Sequence, residues 1–162
     1  METRNAQVKQ GLAIREDDLT GPEIRALLEA HLATMRSLSP PESIHALDLA
    51  GLRRPEIAFW TVWDGANLAG CGALKRLSAS DGEIKSMHTA AAHRGKGVAE
   101  ALLRHILGQA TAQGLTRLSL ETGSQAGFEP ARRLYAKHGF AICGPFADYA
   151  DDPNSVFMTR TL

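Results

Sequence analysis

The stretch His93-Arg94-Gly95-Lys96-Gly97-Val98-Ala99 constrains this chain more than any other, because of what stands on either side of it. Residues 83–89, Glu-Ile-Lys-Ser-Met-His-Thr, read as a strand. Beyond the glycines, Val98, Leu102, Leu103, Ile106, Leu107 and Ala110 recur at the helical period, which predicts a helix from about Gly97 to Gln113. A strand running into a Gly-rich turn that opens a helix leaves main-chain N–H groups without partners at the positive end of the helix dipole. Such a place favours an anion. Glycines at 95 and 97 allow close backbone approach, and Arg94 and Lys96 add cationic donors for phosphate oxygens. The dipole supplies only about 0.3–1 kcal/mol, and about 2 when partly buried, so a phosphate ligand needs several of these donors together.

Two common phosphate motifs fit this segment poorly. The spacing GxxxxGK[ST] cannot be written over it. A dinucleotide fingerprint fares better, since Gly95-x-Gly97 follows a strand and Glu121 ends the next one near the place of a ribose-binding acid. Its third glycine position, however, holds Glu100, a charged side chain where close helix–strand packing needs Gly or Ala.

The rest of the chain supplies a sheet around this unit. Leu12–Arg15 reads as a short first strand. Gly21-Pro22 opens an amphipathic helix through Ile24, Leu27, Leu28, His31, Leu32 and Met35, and residues 39–43, Ser-Pro-Pro-Glu-Ser, break it. A short second helix is expected over Ile44, Leu47 and Leu49, ended by Pro55. Residues 57–63 and 68–77 read as a hairpin about Asp64-Gly65, with Gly70 and Gly72 marking a bulge or a close backbone approach. Asp81-Gly82 reads as another turn. Leu115–Leu120 is a strand, Pro130 opens a helix that runs to His138, and 140–143 and 156–159 close the sheet. The expectation is a single domain over 1–162, a mixed α/β sheet of about seven strands with about four helices.

Composition removes several classes of function. Lys plus Arg equals Asp plus Glu at 18 each, so there is no overall charge to draw the chain to nucleic acid. No apolar run approaches a membrane span, and residues 1–10 lack the apolar centre of a secretory leader. Cys71 and Cys143 form no CxxC pair and read as free, small core residues in a reducing cytoplasm. The six histidines show no metal-ligand spacing.

Residues 94–99, Arg-Gly-Lys-Gly-Val-Ala, resemble the R/Q-x-x-G-x-G/A signature of the GCN5-related N-acetyltransferases, the GNAT superfamily. Downstream, residues 131–140, Ala-Arg-Arg-Leu-Tyr-Ala-Lys-His-Gly-Phe, resemble that family's A-x-x-L-Y-x-x-x-G-F segment. The likeness covers nearly the whole chain and is poorest over 1–60. It implies a sheet whose central parallel strands part, with acetyl-CoA as cosubstrate lying in the gap. Pantetheine would pair with the backbone of Met87, His88 and Thr89, and the pyrophosphate would rest on Arg94, Gly95, Lys96, Gly97, Val98 and Ala99. By the same resemblance Tyr135 protonates the departing thiolate, and Glu83 is the base that takes the proton from the amine, with Glu121 as its rival. The implied acceptor is the amine of a small molecule, attacked directly. A protein or peptide N-acetyltransferase and a non-catalytic acyl-CoA-binding module stand as alternatives, and a homodimer through the closing strands is left open. One position departs from the family: Phe128 stands where an asparagine often touches the cofactor, so Gln125 or Thr122 would have to replace that contact. The segment Ser39–His45 is the best candidate for touching the acceptor.

Overall fold

The computed structural model describes residues 11–45 and 48–162; the leader-free reading of residues 1–10, and Leu47 of the expected second helix, lie outside them. Seven strands form one sheet: β1 (Leu12–Glu16), β2 (Ile57–Asp64), β3 (Asn67–Arg76), β4 (Asp81–Thr89), β5 (Arg117–Gly123), β6 (Ala141–Cys143) and β7 (Ser155–Thr161). Their order is β1-β2-β3-β4-β5-β7-β6, and only β4 and β5 run parallel. Four helices, α1 (Pro22–Leu38), α2 (Leu49–Leu52), α3 (Val98–Ala112) and α4 (Glu129–Lys137), complete the mixed α/β fold that the patterning predicts.

The sheet is covered on both faces. On one, Leu102, Leu103 and Ile106 of α3 pack with Leu74, Ile84 and Leu118 of the strands in the larger core, which Tyr135 and Phe140 extend. On the other, Ile24, Leu27 and Leu28 of α1 and Leu52 of α2 meet Phe59, Cys71 and Ala73. Alternation along the strands separates the two sets, because successive side chains point to opposite faces. The glycines of β3 let α3 sit close: a Cβ on Gly72 would lie 2.5 Å from the Met87 sulfur and 3.0 Å from Leu102.

Three local readings are corrected. Asp81-Gly82 begins β4 rather than forming a turn; the turn falls just before it, where the Ser78 hydroxyl accepts the N–H groups of Ser80 and Asp81. Gly82 is small for a different reason, since a Cβ there would press on Leu115 and Leu118. Ile44 is not helical: Pro40-Pro41 permits only a 3-10 turn over Pro41–Ser43, and α2 begins after Asp48, whose carboxylate caps the Gly51 N–H at 2.8 Å. Cys143 is no core residue, being only partly buried on the short strand β6, although both cysteines are free as read. Among the described residues no helix is long and apolar enough to cross a membrane.

Candidate active site

Strands β4 and β5 pair only from Asp81 and Arg117 to Ile84 and Leu120, and then part. A bulge begins the separation. Cys71 faces His88 and Ala73 faces Lys85, so Gly72 alone stands opposite both Ser86 and Met87. Ser86 holds the left-handed conformation, φ 58°, which costs an L-residue roughly 1–2 kcal/mol. Past the bulge, Met87, His88 and Thr89 line a cleft of about 920 Å³ that continues to Arg94, Gly95, Gly97, Val98 and Ala99 at the head of α3. Gly97 caps that helix at φ 80° and Gly95 sits at φ 75°, so both turn residues occupy backbone that favours glycine. No side chain caps the α3 N-terminus, which leaves its first amides to an incoming acceptor. The side chain of Lys96 is exposed and does not line the cleft. Pro130, Ala131, Leu134 and Tyr135 of α4 form the opposite wall.

A second, smaller cavity of about 110 Å³ meets the cleft at its inner end, on the α1 face of the sheet. Glu83 and Lys85 of β4 and Glu121 of β5 point into it, as do Ser39, His45 and Tyr149 from the loops above. Oε2 of Glu83 accepts from Lys85 Nζ at 3.1 Å and from the Tyr149 hydroxyl at 2.5 Å, while its Oε1 makes no hydrogen bond among the described residues. Glu121 accepts from Ser155 Oγ at 2.8 Å. Burial raises the Glu121 carboxyl to about 7; Ser155 and Lys85 oppose this, while Glu83 and Asp152 add to it. Burial, with Glu83 beside it, also raises the Tyr149 phenol far above its ordinary value, so that it stays a hydrogen-bond donor.

Tyr135 lines both cavities, together with Met35, Met87, Phe128, Ala131 and His31. Its ring stands edge-on to Phe140, and burial raises its phenol well above the usual range. The His31 and His88 rings face each other Nδ1 to Nδ1 at 3.2 Å, so one donates and the other accepts. Burial lowers both to about 4, with His88 further depressing His31 and the Arg94 guanidinium further depressing His88. The pair therefore joins α1 to β4 in neutral form. Phe128 packs against Gly123, where a Cβ would collide with its ring.

The structure thus brings Tyr135, Glu83, Glu121 and Met87 to one junction and strings His88 to Ala99 along the cleft, with Lys96 turned outward. Ser39 and His45, at the two ends of the segment expected to touch the acceptor, line the inner cavity. Thr122 lines the inner cavity, and Gln125 is bonded to Ser39 and Asn154. Sequence reasoning missed Lys85, Tyr149 and the pairing of His31 with His88. Lys85 was within reach, because it lies two residues from Glu83 and strand alternation puts both on one face. Tyr149, in a loop without periodicity, carried no signal.

Comparison with known proteins agrees with this geometry. Residues 24–140 match the family model described as the acetyltransferase (GNAT) family. The chain is 60% identical to the uncharacterized N-acetyltransferase YsnE of Bacillus subtilis, over 92% of this chain and 99% of that one. It is 40% identical to the IAA acetyltransferase of Azospirillum brasilense, over 77% of this chain and 81% of that one. A GNAT family acetyltransferase from Elizabethkingia anophelis, solved with acetyl-CoA bound, shares the fold at a TM-score of 0.69 and 18% identity, covering 95% of this chain and 100% of the other.

Proposed function

The chain belongs to the acetyltransferase (GNAT) family and is an acetyl-CoA-dependent N-acetyltransferase, and on that premise we propose that it acetylates the amine of a small-molecule acceptor by direct attack. The reading rests on one observation: a compact cavity holding two carboxylates opens onto the cleft beside Tyr135. The thioester would lie at that opening, with the pyrophosphate on the amides of Gly95–Ala99 and the pantetheine along Met87–Thr89. Both cysteines being free supports placing the reaction in a reducing cytoplasm.

An alkylamine enters as ammonium, since its pKa of about 10.4 leaves little free base at neutral pH. One carboxylate has to take that proton before the nitrogen can attack. Glu83, placed first on sequence, faces the cavity through its free Oε1, while Lys85 and Tyr149 engage its other oxygen. Glu121 is better matched to the amine. With its carboxyl raised from 4.5 to about 7, proton transfer is less uphill by roughly 3 kcal/mol than to an ordinary glutamate. In the proposed mechanism Glu83 holds the ammonium and Glu121 accepts its proton. The neutral nitrogen attacks the thioester carbonyl, whose oxygen is polarised by β4 main-chain N–H groups. The C–S bond then breaks, and Tyr135, kept neutral by burial, gives its proton to the thiolate and regains one from the acetylated nitrogen, leaving the amide, the CoA thiol and a neutral phenol.

The pH profile tests this. The wild-type kcat/KM rises as pH climbs through about 7, because only the ionised carboxylate accepts a proton. Glu121→Gln lowers kcat by about 10²–10³-fold and removes that limb. If the limb survives in Glu121→Gln and vanishes in Glu83→Gln, the base is Glu83. Thiol release from acetyl-CoA across a library of amines identifies the acceptor used for the measurement.

A further inference from the structure

Among the described residues, the inner cavity contains one side chain with a permanent positive charge, Lys85, and that charge is already engaged. Lys85 is almost wholly buried, with 9% of its side chain exposed. Its ammonium reaches Glu83 Oε2 at 3.1 Å, the Tyr149 hydroxyl at 2.9 Å and the His45 carbonyl at 3.5 Å. An ammonium has three N–H donors, so none remains for a substrate. Among the described residues no arginine lines the cavity. His31 is held neutral and is already bonded to His88. The His45 ring stands edge-on to Tyr149 at 5.0 Å.

On the other side of the account stand Glu83 and Glu121, with Asp152 close enough to raise Glu121 further. An amine nitrogen delivered to these carboxylates brings along whatever is bonded next to it. The carboxylate of an α-amino acid is two bonds from the nitrogen and cannot swing clear, so it would meet like charge where the Lys85 ammonium is already engaged.

Building on the transferase reading above, we infer that the acceptor is a compact primary amine with no carboxylate beside its nitrogen, and that the closed Glu83–Lys85–Tyr149 cluster excludes the amino acid of the same side chain. Free-base chemistry works against this preference, since the lower pKa of an α-amino group leaves more of it ready to attack. A preference for the amine therefore has to come from the cavity.

The test uses matched acceptors with the full-length protein and acetyl-CoA: tyramine against tyrosine, histamine against histidine, phenethylamine against phenylalanine, with tyrosinamide as a neutral analogue of tyrosine's size. With kcat/KM expressed per neutral amine, so that differences in amine pKa drop out, the amines are expected to exceed their amino acids by about 100-fold or more, and tyrosinamide to recover at least about tenfold over tyrosine. Amino acids used as well as amines overturn the inference, and so does tyrosinamide performing as poorly as tyrosine, which makes the exclusion steric. Tyr149→Phe, which frees one Lys85 N–H, is expected to narrow the tyramine-to-tyrosine ratio; an unchanged ratio removes the cluster as the cause. Acetyl-CoA binding without turnover of any acceptor pair also overturns the inference, yet leaves the cofactor assignment standing. Failure to bind acetyl-CoA brings down the transferase reading itself.

Discussion

The two faces of the sheet treat polarity in opposite ways at the place where β4 leaves β5. On the α3 face the core is apolar, and the groups offered to a ligand are main-chain amides at the head of a helix. On the α1 face three ionisable side chains, Glu83, Lys85 and Glu121, come together within a small cavity, each with a hydrogen-bond partner. The division fits the role proposed for each side. Holding a diphosphate needs fixed donors that never change protonation, and backbone N–H groups meet that need. Removing a proton from an amine needs a group that does change protonation near neutral pH, and burial beside another carboxylate produces one.

The comparison breaks most readily at Gly97. Valine there would have to adopt φ 80°, a conformation that a β-branched residue scarcely enters, and its side chain would stand over the α3 amides. CoA affinity measured by calorimetry is expected to fall by about 100-fold or more, roughly 2.7 kcal/mol. Any residual turnover at saturating acetyl-CoA should keep the rise through about pH 7, because Glu121 lies on the other face. Unchanged CoA affinity means that the diphosphate binds elsewhere.

Tyr135 tests the junction between the faces. Removing its hydroxyl leaves the edge-on contact with Phe140 in place, so the fold should hold. Tyr135→Phe is expected to lower kcat about tenfold or more while leaving CoA affinity within about twofold. An equal fall in both would make the hydroxyl a cofactor-binding group and not an acid.

How far each face could be read from the sequence follows the same division. The cleft is local in sequence: a strand, two glycines and a helix with an apolar stripe are contiguous over residues 83–113, and their period and turn chemistry announce them. Tyr135 and Glu83 came from matching short motifs. The inner cavity is assembled from His45, Lys85, Glu121 and Tyr149, four segments joined only by the fold. Its chemistry lies in distances that no period encodes. The Ser86 bulge was half visible: Gly72 signalled something close by, but the extra residue is on the partner strand. Asp81-Gly82 misled because Gly82 is small for packing, which turn rules do not distinguish.

His105 gives the smallest effect and the sharpest test of the contrast. It breaks the apolar rule of the α3 face, buried at 3% exposure with neither ring nitrogen bonded among the described residues. Its ring meets Trp60 edge-on at 5.3 Å. A neutral imidazole always carries one N–H, and leaving that donor buried without a partner costs about 1–3 kcal/mol, whereas an aromatic pair returns about 0.5–1.5 kcal/mol. His105→Leu, close in volume, should therefore stabilise the protein by about 1 kcal/mol and raise Tm by about 2–4 °C. Burial lowers the His105 pKa in the fold below its ordinary 6.5, so the unfolded chain binds the extra proton first as pH falls. Stability then drops below about pH 6.5 in the wild type by a contribution that the leucine variant lacks. The difference in Tm between the two should widen from pH 7.5 to pH 5.5. A less stable variant, or a gap that stays constant with pH, would show that His105 is a satisfied part of this face and that the apolar rule is weaker there than the core suggests.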